Sequence, residues 1–302
     1  MGQGDKYDMH FKILILGDSR VGKSTLVQQF VGEPADDYYC ESLGVDFKEA
    51  ILNFLNHRIK LCIYDACGNP KVDFLLKPYL SIVQGAFVCF DVTNPLSFYN
   101  IERHIKKIKE QHHDIPIFLI GCKSDLSHTH SVETEKIKEL VAQLGLPYFE
   151  TSGRKAINVQ EPFTQIMQQM YFLSLQPLLQ KIIPTLEQHL HNYLQSTPAS
   201  NNVFSLFAGR SARENLLIEE YKKKLAALSQ SKSVHEVEAF FRATLDIIER
   251  ADNLFAAENP FLSMMATSPL SKTLGKTLFD LGKTTKDFID LSALVDVSQL
   301  KI

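Results

Sequence analysis

Along the first half of the chain, nearly unbroken apolar runs alternate with stretches whose apolar residues recur at helical spacing. FKILILG (11–17), RIKLCIYD (58–65), GAFVCFD (85–91), PIFLIG (116–121) and LPYFE (146–150) have the pattern of strands covered on both faces. The segments 22–31, 95–112, 133–144 and 162–175 read as helices. Strand and helix in alternation predict a mostly parallel sheet wrapped by helices on both faces, an α/β fold. Phe163, Ile166, Met167 and Met170 mark the core face of the last of these helices. Beyond about residue 170 the strand pattern stops, and Pro177 and Pro184 are expected to punctuate the chain there.

The second half is patterned as helix throughout. QSTPASNN (195–202) is the best candidate for a linker. After it, Leu217, Tyr221, Leu225 and Leu228 form one helical stripe, and Val234, Val237, Phe241, Leu245, Ile248 and Phe255 form another. Ser233 and Glu236 have the spacing of a capping box at the start of the second helix. In the tail, Leu270, Leu274, Leu278, Leu281 and Phe288 share one side, a face expected to dock on the preceding helices, with a membrane surface as the other option. Gly275-Lys276-Thr277 resembles the end of a phosphate loop, but position 270 is Leu and no strand precedes it.

Composition narrows the classes. The net charge is −3, from 32 Lys and Arg against 35 Asp and Glu, which argues against a polyelectrolyte-type nucleic-acid binder. The five cysteines, 40, 62, 67, 89 and 122, show no paired CxxC spacing and read as reduced thiols of a cytoplasmic protein. No apolar run approaches the roughly 18 residues of a membrane span.

The chemistry is concentrated at strand ends. GDSRVGKS (17–24) follows a strand and opens a helix, the context in which a GxxxxGK[ST] match carries weight. Gly17 and Gly22 let the backbone turn its N–H groups toward phosphate oxygens, and the helix adds its positive end. Lys23 is expected to meet the β- and γ-phosphates and Ser24 a magnesium ion. SLGVDFK (42–48) offers Ser42 as a second magnesium hydroxyl. In YDACGNP, Asp65 is a carboxylate for the ion's surroundings and Gly68 a backbone donor to the γ-phosphate. CKSD (122–125) places Asp125 to accept from guanine and Lys123 to lie along the base, and TSG (151–153) follows another strand.

Taken together, in this order, these motifs resemble the small GTPases of the Ras superfamily, and the Rab family in particular. LGVDFK, GDSRVGKS and QGAFVCFDVTNPLSFYNI (84–101) carry that flavour. The resemblance covers residues 10–175 and implies the phosphate-loop small GTPase fold, a six-stranded mostly parallel sheet with helices on both faces, in a domain of residues 1–176. An all-α extension, 177–302, lies outside it. The nucleotide contacts it implies come from Gly17, Asp18, Ser19, Arg20, Val21, Gly22, Lys23, Ser24 and Thr25. They continue through Ser42, Gly68, Cys122, Lys123 and Asp125 to Ser152, Gly153 and Arg154. Magnesium falls to Ser24, Ser42 and Asp65, and hydrolysis to Gly68 and Asn69. GTP or GDP with Mg2+ is the implied cofactor. The implied partners are exchange factors, activating proteins or effectors, meeting switch segments 36–48 and 65–80.

The chain departs from the family pattern where the base and the attacking water are handled. Asn69 stands for glutamine, Pro70 for glutamate, Cys122 for the asparagine of NKxD, and Ala35 for a base-stacking aromatic. Losing the aromatic costs roughly 1–3 kcal/mol and the amide about 1 kcal/mol net, on the order of 30- to 1,000-fold in affinity, so binding is expected to survive in weakened form. No cysteine comes after 122, so peripheral membrane contact without prenylation is the expectation. A guanine-nucleotide switch in membrane traffic, with slow intrinsic hydrolysis, is the leading reading. A pseudo-GTPase scaffold, whose helical half binds a partner, is the alternative. A Rab-like domain with a helical extension also resembles the Rab mimics that intracellular bacteria deliver into a host cytoplasm or onto a host membrane.

Overall fold

The computed structural model describes residues 7–33, 44–55, 57–112, 114–129, 131–195, 212–258, 270, 273 and 274. The chain divides into two compact units, residues 1–170 and 171–302.

The first unit contains one sheet in the order β2-β3-β1-β4-β5-β6. Its strands are β1 Met9–Gly17, β2 Val45–Phe54, β3 His57–Ala66, β4 Gly85–Asp91, β5 Ile117–Cys122 and β6 Tyr148–Thr151. β2 and β3 pair antiparallel and every other pair is parallel, the small GTPase topology. Five of these strands are the apolar runs. The sixth, β2, is an edge strand with only Phe54 buried, so Asp46, Lys48 and Glu49 interrupt it and no run marks it in the sequence.

Helices cover both faces. They are α1 Lys23–Val31, α2 Lys77–Leu80, α3 Pro95–Tyr99, α4 Ile101–Lys109, α5 Thr134–Leu144 and α6 Gln160–Gln195, with a 3₁₀ segment at Pro70–Leu76. Successive strand residues point to opposite faces. Leu14 and Leu16 of β1 therefore join Val88, Phe90 and the α4 residues Ile101, Ile105 and Ile108 in one cluster. On the other face, Phe30 of α1 stacks on Phe163 of α6 at 3.8 Å between ring centroids, and Phe163 meets Phe87 of β4 edge-on at 4.9 Å.

Two helical expectations need correction. The segment 95–112 is two helices, α3 and α4, joined at Asn100. Asn94 caps α3, its Oδ1 accepting the Leu96 N–H at 3.1 Å, with Pro95 in the first turn. Pro177 and Pro184 do not punctuate the chain; both lie inside α6. They are seven residues apart, two helical turns, and both are exposed. The carbonyls they leave without a helical donor belong to Leu173 and Gln180, which are also exposed residues. Leu175, Leu179, Ile182, Leu186 and Leu190 keep the buried stripe continuous.

In the second unit, α7 (Ala212–Leu228) and α8 (Val234–Glu258) form a helical hairpin. Tyr221 packs on Phe240, and Arg250 pairs with Glu220 at 3.0 Å. The Ser233 hydroxyl accepts the Glu236 N–H at 3.3 Å, as the capping box predicts, while the Glu236 carboxylate takes the Lys232 N–H at 2.6 Å. Of the expected α8 stripe, Val234, Val237, Phe241 and Ile248 are buried, and Phe240, Thr244, Ile247 and Ala251 join them. Thr244 is fully buried where Leu245 is only half-buried, and its hydroxyl is satisfied by the Phe240 carbonyl at 2.9 Å. Leu270 and Leu274 are buried. Residues 196–202 of the linker candidate, Gly275-Lys276-Thr277, Leu278, Leu281, Phe288 and the side chain of Phe255 lie outside the described residues. No helix among the described residues is long and apolar enough to cross a membrane.

Candidate functional site

Five parallel strands point their carboxyl ends at the start of α1, on the side of the sheet where strand order reverses about β1 and where open α/β sheets bind ligands. β1 ends at Gly17 (φ 147°), and Gly22, at φ 113° and ψ 12°, caps α1 in a conformation that L side chains rarely adopt. No side chain caps the helix and its first turn carries no acidic residue. Its leading N–H groups and positive end thus remain for an anion. Arg20 is exposed in the loop at φ 64°, a strained position for a residue with a Cβ.

Lys23 is buried, and its ammonium donates to the carbonyls of Gly17 at 3.1 Å and Asp18 at 2.7 Å. Ser24, one residue on, hydrogen-bonds Asp65 at the end of β3. Burial raises the Asp65 pKa, against the opposing pull of that hydrogen bond and of the Lys23 charge. Asp65 is 2% exposed and its Oδ1 has no hydrogen-bond partner among the described residues. A buried, unsatisfied carboxylate oxygen beside a serine hydroxyl and a lysine fits a site for a hard cation that a phosphate also ligates. Ser42 lies outside the described residues.

Gly68 touches the loop directly. A Cβ added there would sit 2.1 Å from the Asp18 carbonyl carbon and the Ser19 nitrogen, so only glycine permits this approach. Asn69 next to it is extended (φ −89°, ψ 113°), as Pro70 requires, and its Oδ1 accepts the Lys71 N–H at 3.1 Å. The side chain thus serves as the cap of the 3₁₀ segment.

On the other side of α1, Cys122 at the end of β5 packs under Gly22, whose added Cβ would lie 3.2 Å from that of Cys122. Its thiol is buried and neighbours the Cys89 thiol, which burial pushes well up in pKa. Cys62, Cys67, Cys89 and Cys122 are free thiols. Lys123 is left-handed (φ 64°) and ion-paired through Nζ to Asp91 Oδ2 at 2.5 Å. Asp91 is itself fixed, its Oδ1 accepting from the Thr93 N–H at 2.9 Å and the Thr93 hydroxyl at 2.7 Å. Asp125 is half-buried at the start of the 3₁₀ segment Ser124–Thr129. Gly153, after β6, lies against the Thr25 carbonyl, with room for no side chain, and the Ser152 hydroxyl accepts the Lys155 N–H at 3.1 Å. Arg154 is exposed beside them and Val21 is buried in the loop.

The candidate residues from four separate stretches therefore meet around one helix start. Sequence reasoning missed the residues that hold Asp18. Asn100 Nδ2 donates to its Oδ2 at 2.6 Å, and Arg103 Nη2 donates to Oδ1 at 3.0 Å. His104 Nε2 lies 2.9 Å from the same Oδ1. It also missed the Asp91–Lys123 pair. The signal present was polar residues at 100, 103, 104 and 107, a helical stripe inside a segment with an apolar core face.

This fold and strand-end phosphate loop define a nucleotide-binding class. Residues 12–172, more than half of the chain, match the Ras family, and the chain belongs to that family. It is 36% identical over 169 residues to the Ras-related protein YPT3 of Nicotiana plumbaginifolia, covering 55% of this chain and 77% of that protein. It is 34% identical to the Ras-related protein RABA2a of Arabidopsis thaliana (55% and 77%). The GTP-binding protein ypt3 of Schizosaccharomyces pombe is also 34% identical (57% and 80%). Small GTPases of this family bind guanine nucleotide with magnesium.

Proposed function

We propose that this protein is a Rab-like guanine-nucleotide switch in membrane traffic. Its phosphate and magnesium contacts are intact, while base reading is weakened and unaided hydrolysis is slow. The observation that carries the reading is the convergence of Lys23, Ser24, the unsatisfied Asp65 oxygen and the Gly68 backbone on a helix start without a side-chain cap. Ser24 and Asp65, with Ser42, would hold the magnesium ion, which supplies charge neutralisation between the terminal phosphates. Lys23 exchanges its loop carbonyls for phosphate oxygens, and Asp125 reads the guanine donors. Segments 36–48 and 65–80 meet regulators or effectors as their order changes with the γ-phosphate.

Slow hydrolysis is expected from Asn69. Asparagine is one methylene shorter than glutamine, and here its carbonyl already caps the adjoining 3₁₀ segment, so it does not orient an attacking water. Cys122 and Asn69 also favour a second reading, a scaffold that keeps the fold and a bound nucleotide without cycling. The test is the nucleotide content of the purified full chain after denaturation and ion-exchange chromatography. Stoichiometric guanine nucleotide is expected, and its absence, with no uptake of added GTP or GDP in magnesium, rejects the nucleotide reading altogether. Bound nucleotide that never turns over or exchanges selects the scaffold.

A further inference from the structure

Asp18 is the only carboxylate in the loop from Gly17 to Ser24. A negative charge there, turned toward a nucleotide's phosphates, would repel them. In the structure that carboxylate is tied down. Three donors from the start of α4 hold it: Asn100 Nδ2 at 2.6 Å, Arg103 Nη2 at 3.0 Å and His104 Nε2 at 2.9 Å. The backbone of the same residue is fixed from two further directions, by the Lys23 ammonium on its carbonyl and by Gly68 against its peptide. The helix stripe continues one turn to Lys107, which ion-pairs with Asp73 of the 3₁₀ segment.

His104 is 4% exposed, and its Nδ1 is buried with no partner among the described residues. A second ring proton would sit there unpaired, so Nε2–H donates to Asp18 from a neutral ring. Burial likewise lowers the His104 pKa, only partly opposed by Asp18. At Asp18 burial raises the pKa, but the Asn100 and His104 hydrogen bonds and the nearby positive charge outweigh it and keep the carboxylate ionised. The clamp thus holds a charge rather than neutralising it by protonation.

Resting on the nucleotide reading above, we propose that Asn100, Arg103 and His104 are positioning residues for phosphate binding, holding the Asp18 carboxylate away from the nucleotide's phosphates. Releasing that carboxylate weakens the site by repulsion, so removing the charge restores it.

The test uses the full chain and a fluorescent guanine nucleotide in magnesium. Arg103→Met with His104→Leu is expected to weaken triphosphate binding about 10-fold at low salt, and less in 1 M salt, where repulsion is screened. Adding Asp18→Asn to that double variant should return affinity to within about 3-fold of the unmodified chain. Arg103→Lys with His104→Gln, which keeps a donor at each position, should stay near the unmodified value and guards against misfolding. Unchanged affinity in Arg103→Met with His104→Leu overturns the proposal. So does a loss that is salt-independent and not rescued by Asp18→Asn, which is the signature of simple packing damage. If the unmodified chain takes up no guanine nucleotide, the nucleotide reading falls first and the clamp's role with it.

Discussion

The phosphate end and the base end of the proposed nucleotide site rest on different kinds of atoms. At the phosphate end, recognition is a matter of backbone path. The left-handed Gly22, the close approach of Gly68 to Asp18 and the open first turn of α1 leave few alternatives, and Lys23 and Asp65 add charge, and Ser24 a hydroxyl, at fixed points. At the base end, recognition depends on side chains at the tips of β5 and β6. There the expected amide is a buried thiol, Cys122, and Lys123 is held by Asp91. A backbone-built site tolerates sequence change up to the point where a Cβ collides, whereas a side-chain-built site changes with each substitution. One end can thus keep the family's pattern while the other loses it.

The comparison can be broken most directly by Lys23→Ala. Charged hydrogen bonds contribute about 1.5–3 kcal/mol each, so affinity should fall on the order of 10²- to 10³-fold, equally for guanine and adenine triphosphates. A loss confined to guanine nucleotides in a competition assay would contradict the division of labour. Next in size is Asn69→Gln, which lengthens the side chain by one methylene. Single-turnover GTP hydrolysis should rise on the order of 10-fold or more while nucleotide affinity stays fixed. No gain with nucleotide still bound would show that water positioning at residue 69 is not limiting.

Smaller effects sharpen the base end. Cys122→Asn should tighten guanine nucleotides about 5-fold, the equivalent of roughly 1 kcal/mol, and leave adenine nucleotides unchanged; titration of both bases checks it. The smallest change is Arg20→Gly. Relieving a left-handed residue with a Cβ is worth about 1 kcal/mol, so the melting midpoint should rise by a few degrees. A drop would mean that the arginine's contacts outweigh its strain.

The sheet was legible because buried parallel strands leave continuous apolar runs, and the phosphate loop because its glycines and lysine are local in sequence. β2 escaped the run-based reading because an edge strand has one wet face. The length of α6 escaped because proline was read as a breaker. Both prolines and the residues whose carbonyls they free, Leu173 and Gln180, are exposed, and the stripe from Leu175 to Leu190 is buried. The Asp18 clamp escaped for another reason. Asp18 and its donors are 82 to 86 positions apart, and nothing in either segment alone marks the meeting.

The two prolines give α6 an uneven resistance to solvent exchange. Neither Pro177 nor Pro184 has an amide hydrogen, so the ladder of protected amides is cut twice, two turns apart, on the wet side of the helix. Deuterium should enter fastest in the turns ending at these residues. The stretch around Phe163 and Met167, locked into the sheet's core, should exchange slowest. A helix continuous in outline is then three segments in time, and hydrogen-exchange mass spectrometry of peptides from 160–195 would show three rates where geometry alone suggests one.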